Sequence, residues 1–185
     1  IAFSQLGPKL ASRIHVRSVI AGGLVLTAIG LLWMSAVNVS SGYLQVVGGL
    51  TLAAAGMALA FPAATEAIVG SLPQDKAGVA SAVNDTTREV GAAVGIALLG
   101  SLMSSGYRRS VGDAFDALPA AAAEAARDSV GAALHVAQQA PESVRSGLVL
   151  TARTGFAEGY SLAMMVGAAL LVTTAAVVFR WFPKD

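Results

Sequence analysis

The stretch SVIAGGLVLTAIGLLWMSAVNVSSGYLQVVGGLTLAAAGMALAFPAAT, Ser18 to Thr65, runs for 48 consecutive residues without an Asp, Glu, Lys or Arg. About 20 apolar residues suffice to carry a helix across the ~30 Å hydrocarbon core of a bilayer, so this run is long enough for two crossings. NVSSGY, Asn38 to Tyr43, is the natural break between them. A soluble helical bundle would need a polar face on each segment, and none is visible here.

Working outward, two further uncharged runs cover Val90–Tyr107 and Gly159–Phe179. Four spans follow, at about 18–37, 43–63, 86–106 and 159–180, with a hydrophilic segment over 107–158. Composition agrees: 55% of the 185 residues are hydrophobic and 12% charged, against about 25% charged in ordinary globular chains, and the mean hydropathy is +0.68. The fold class is therefore an all-α integral membrane protein of four transmembrane helices with a partly helical extracytoplasmic loop. The lipid bilayer is its first partner. The chain opens at Ile1 without a signal-peptide pattern and reads as the C-terminal part of a longer protein.

Four spans place both ends on one side. With those ends in the cytoplasm, the inner side holds Lys9, Arg13, Arg17, Lys76, Arg88, Arg180 and Lys184, and the outer side Arg108, Arg109, Arg127, Arg145 and Arg153. The surplus of Lys and Arg in short inner loops favours this orientation. Trp33, Tyr43, Tyr107 and Tyr160 then fall near one interface, and Phe179, Trp181 and Phe182 near the other. In the outer loop, Pro119 is placed to start a helix that stops before Pro141, and a second helix leads into the last span. The loop is either a lid over the bundle or a tolerated surface insertion. His135, alone on an Ala-rich helix, reads as solvated.

The chemistry-bearing inventory is short. There is no cysteine and only two histidines, so thiolate metal centres are excluded and no metal site is expected. No nucleophile–base pattern or phosphate loop appears. VGGLTLAAAG lies inside a span and lacks the lysine a phosphate loop needs. An enzyme, a cofactor and a nucleic-acid partner are accordingly not expected. Glu66 follows Phe61–Pro62 near the end of the second span, where Pro62 invites a kink. An ionisable group within a span marks a functional site, whereas at the headgroups Glu66 would be unremarkable.

SAVNDTTREVGAAVGIALLGSLMS, Ser81 to Ser104, sets Asn84, Asp85, Arg88 and Glu89 directly against a glycine-spaced apolar run. If a span starts near residue 86, these charges sit at its first turn. Acids there complement the free N–H groups, and Arg88 reaches Asp85 at i,i+3. The group is then either a helix cap or a cytoplasmic gate. Gly91 and Gly95 form a small-residue face suited to close helix packing.

FPAATEAIVGSLPQDKAGVASAVNDTTREVGAAVGIALLGS, Phe61 to Ser101, resembles the region joining the last three spans of fourteen-helix major facilitator drug exporters, the drug:proton antiporter-2 group. The first loop resembles a degenerate copy of the facilitator loop motif. Leu10, Ala11, Arg13 and Arg17 fit it, while Pro8, Ser12, His15 and Val16 depart from it; the alternative for its basic residues is simple anchoring. The resemblance implies four helices from the C-terminal half of a major facilitator fold in a bacterial cytoplasmic membrane. The missing N-terminal helices of the same protein would be its partner and a proton gradient its energy source. It implies that Gln45, Thr51, Met57 and Phe61 line a cavity for amphipathic or cationic small molecules. It also implies that span 86–106 packs where two helical halves slide, that spans 18–37 and 159–180 are peripheral, and that the acids used for proton coupling belong to the N-terminal half. A proton- or substrate-linked role for Glu66 rests on its place near the end of a span. The implied function is proton-coupled efflux by alternating access; the alternative is a non-transporting membrane scaffold or sensor of the same architecture.

Overall fold

A computed structural model describes residues 15–182. Four long helices carry the architecture: α1 (Val16–Ser35), α2 (Tyr43–Gly70), α3 (Ala77–Val111) and, after two short helices α4 (Ala120–Asp128) and α5 (Val130–Gln139), the 40-residue α6 (Glu142–Trp181). All four are long and apolar enough to cross a membrane, so the chain is an all-α multi-pass membrane protein. The turn after α1 forms where NVSSGY interrupts the apolar run. The Asn38 side-chain oxygen accepts from the Ser40 amide at 2.9 Å and from its hydroxyl at 2.6 Å, a local bond that replaces helical ones. α2 continues through Pro62 without a break.

Two helices outrun the lengths expected from charge-free runs. α3 begins at Ala77 rather than near 86, after a single 3-10 turn (Gln74–Lys76). α6 begins at Glu142, so its first turns occupy sequence assigned to the loop. At 1.5 Å per residue they extend about 52 and 60 Å, well beyond the hydrocarbon thickness. Charge does not stop a helix that leaves the bilayer, because propensity and packing carry it on.

The long helices alternate in direction and form a row, α2–α1–α6–α3, with α2 and α3 also touching each other. Within the described residues α1 and α6 thus occupy the middle of the row. Residues without bulk set the contacts. A methyl group at Gly56 would lie 2.5 Å from the Gly23 carbonyl oxygen, and one at Gly30 would lie 2.5 Å from the Ala53 nitrogen. The buried Thr27 hydroxyl stands in this seam, donating to the Gly23 carbonyl at 2.9 Å and reaching the Ala53 carbonyl of α2 at 3.4 Å. On α6, buried Ala152, Gly155, Gly159, Ala163 and Gly167 make a continuous small stripe. α3 packs there with Gly106 against Gly159. Close approach is how helices gain contact where lipid removes the hydrophobic drive. At the other end of α1, Arg17 lies 5.3 Å from the Phe179 ring centre, tying α1 to the end of α6.

The segment between α3 and α6 is a folded cap. The chain leaves α3 at Gly112, whose φ of +43° suits glycine. Where one helix was expected between Pro119 and Pro141 there are two, divided by Ser129, whose extended backbone ends α4 and whose hydroxyl accepts from the Gly131 amide to start α5. Phe115, Val111, Tyr107, Ala126 and Ala133 build its core with Ala152 of α6. The Tyr107 hydroxyl donates to the Ala126 carbonyl at 2.7 Å. Ion pairs Arg108–Asp128, Arg127–Asp116 and Arg145–Glu142 line its surface.

Two measurements check this packing. Gly23→Ala forces α1 and α2 apart and should lower the stability of the intact protein by about 1–3 kcal/mol. Gly22→Ala, where nothing lies within 4 Å, should leave the melting temperature in detergent unchanged or slightly raised. Tyr107→Phe removes the bond to Ala126, worth about 1 kcal/mol. Amide exchange across residues 120–139 should quicken about fivefold, without change in α1 and α2.

Candidate functional site

α2 and α3 diverge from their connecting turn and leave a groove between them. Met57 and Phe61 of α2 form one wall; Asp85, Arg88, Glu89, Gly91 and Ala92 of α3 form the other. The volume is about 700 Å³, within the range of small-molecule sites. The spacing of 57 and 61, one turn apart, puts both apolar side chains on one face of α2. The spacing of 85, 88, 89 and 92 does the same for α3. Five turns further on, the same face of α3 presents Met103, Gly106 and Tyr107 to α6.

Arg88 does not form the intrahelical pair with Asp85 that their spacing allows. Its guanidinium carbon lies 5.5 Å from the centre of the Phe61 ring, a cation–π contact that holds α3 to α2. Asp85 instead accepts a 3.3 Å hydrogen bond from the side-chain amide of Asn84, and Asn84 is buried. Among the described residues neither Asp85 nor Glu89 has a basic partner.

The helix-cap reading of this group is corrected by the start of α3. The N-cap is Lys76, and Asn84, Asp85, Arg88 and Glu89 lie two to three turns inside the helix, where every backbone N–H already has an intrahelical acceptor. Phe61, which Arg88 faces, precedes Glu66 by five residues on α2, about 7 Å along the axis. The group therefore sits deeper in the bundle than the first charge of α2.

Of the other residues singled out in the sequence, Glu66 and Thr51 are exposed on α2 and do not line the groove. Gln45 works in the turn: its side-chain amide donates to the Ala36 carbonyl at 3.1 Å, and its carbonyl accepts from the Trp33 indole at 3.0 Å. Gly91 borders the groove, but no described atom comes within 4 Å of a methyl group placed at Gly91 or Gly95. The glycine face of α3 is thus open among the described residues, and the packing glycines are Gly23, Gly30, Gly56, Gly106 and Gly159. For all but Gly106, which stands on α3, the signal was a small residue recurring every three or four positions in α1, α2 and α6. Arg17 holds Phe179, while Leu10 and Arg13 lie outside the described residues.

No family profile matches the chain. Individual proteins do. It is 31% identical over 170 residues to the multidrug efflux pump LfrA of Mycolicibacterium smegmatis, covering 92% of this chain and 34% of that protein. It is 32% identical over 177 residues to the methyl viologen resistance protein SmvA of Salmonella typhimurium, covering 94% and 34%. It is 30% identical over 190 residues to the multidrug resistance protein Stp of Mycobacterium tuberculosis, covering 98% and 35%. The chain spans about a third of the length of these relatives.

Removing the Phe61 ring by Phe61→Ala should free Arg88 and loosen α2 from α3. The distance between spin labels at Val69 and Val79 should broaden in Phe61→Ala and stay narrow in Phe61→Tyr, which keeps a ring for the cation.

Proposed function

The chain belongs to the major facilitator drug exporters, and we propose that it supplies part of the substrate path of a proton-driven pump for amphipathic, cationic compounds. The end that carries Arg17, Lys76 and Arg180 is cytoplasmic in this reading, and the cap faces outward across the cytoplasmic membrane. The remaining two thirds of the length seen in the relatives would complete the cavity, and the two helical halves would rock about it.

The observation that carries the reading is the groove itself: an aromatic ring, a methionine and two carboxylates one turn apart, set within membrane-crossing helices. Each part answers a property of a flat aromatic cation. Phe61 offers a π face to positive charge, and Met57 an adaptable apolar contact. Asp85 and Glu89 attract the charge. Arg88 occupies the ring face when no substrate does and is displaced by one. The names of the relatives accord with this reading, one of them being a methyl viologen resistance protein; methyl viologen is itself an aromatic dication.

The test uses the intact protein in everted membrane vesicles with ethidium as the cationic aromatic probe. A protonophore should abolish uptake. Asp85→Asn with Glu89→Gln should lower it about tenfold or more at equal protein level and melting temperature, since both charges that attract the cation are lost. Uptake that persists with the protonophore, or full activity in the double variant, overturns the reading.

A further inference from the structure

At the capped end, remote from the groove, a second, open-sided cavity of about 300 Å³ lies between the helices. Met34 of α1, Val39 of the exit turn, Val46 of α2, Val130 of α5 and Phe156 of α6 form a nearly continuous apolar wall. Arg153 of α6 supplies the one charge in its lining. The cap's Arg108, Arg127 and Arg145 are each matched by an acid, but Arg153 has no ion-pair partner among the described residues. The Asn38 side chain, also at the rim, is already engaged by Ser40.

The placement of this cavity is informative. Tyr160, which stacks on Phe156 with ring centres 6.4 Å apart, stands at the start of the uncharged run of α6. Arg153 lies seven residues earlier, about 10 Å towards the charged cap. An occupant therefore meets apolar walls on the bundle side and a single cation on the cap side. We propose that this cavity is a lipid site, holding part of one acyl chain of an anionic membrane phospholipid with its phosphate on Arg153. A guanidinium matches phosphate geometry through paired N–H donors. The volume is at the small end for ligand sites, suited to a chain segment rather than a bulky molecule. The lining comes from α1, its turn, α2, α5 and α6, so the lipid would bind the cap to the bundle. This site is separate from the groove and does not depend on the transport reading.

The experiment is native mass spectrometry of the intact protein in mild detergent, titrated with phosphatidylglycerol or phosphatidylcholine. Wild type should retain phosphatidylglycerol in preference. Arg153→Ala should weaken that retention about fivefold, the worth of one basic side chain at a lipid surface, with phosphatidylcholine unaffected. Val39→Phe, in the turn, and Ala157→Phe, on α6, fill the cavity and should remove the bound lipid; the first guards against misfolding of the second. Equal phosphatidylglycerol retention in wild type and Arg153→Ala overturns the proposal, as does retention undiminished by either filled variant. Inorganic phosphate alone should not raise the melting temperature. If it protects as well as phosphatidylglycerol does, the site binds a free anion and the lipid assignment fails.

Discussion

Close backbone approach at residues without side-chain bulk is the interaction from which the rest of this structure follows. Between apolar helices in lipid there is no water to escape, so attraction must come from many short van der Waals contacts and a few interhelical hydrogen bonds. Gly23, Thr27, Gly30, Ala53, Gly56 and Ala60 let α1 and α2 meet along their length. Ala152, Gly155, Gly159 and Ala163 do the same for α6. α1 touches α2 on one side and α6 on the other, and α6 touches α3. The row of four is thus a chain of small-residue seams, and the positions of the groove and the cap both depend on it.

Where no seam exists, the helices separate. α2 and α3 share a short turn but few contacts, and the space between them is the groove. What spans it is polar: the Arg88 guanidinium against the Phe61 ring. A contact of this kind is worth about 0.5–2 kcal/mol depending on desolvation, enough to set a preferred position and too little to lock it. A cleft closed by an exchangeable charge suits a site that must open. The α1–α2 seam, by contrast, has no such exchangeable element.

The capped end follows a different physics. Beyond the uncharged runs water returns, and with it the ordinary hydrophobic effect. Phe115, Val111 and Tyr107 there collect a small core under α4 and α5, while Arg and Asp pair on the surface. α6 serves both environments: its Gly155 and Gly159 meet α3 and its Gly167 lies against Leu31 of α1 as well as Leu99 of α3, with most of its charges in the first half and an apolar run after them. The cavity beside Arg153 lies where the two regimes meet.

The amino-acid sequence alone determined the solvent and the number of crossings, because 48 residues without a charge admit few environments and one polar break divides them. Its charge pattern also picked out Asp85, Arg88 and Glu89, while the family resemblance pointed to Met57 and Phe61 together with Gln45 and Thr51, which do not line the groove. The local pattern did not reveal that the other five share one groove, since they belong to helices whose relative rotation is set by glycines some distance away. The helix-cap reading failed for a similar reason: charge marks where lipid ends, whereas helix termini are set by capping and turn geometry, here at Lys76. Gly91 and Gly95 look like packing residues by spacing, as do Gly23 and Gly56. Only the tertiary structure distinguishes them, because small residues permit close approach but a neighbouring helix must be present to use it.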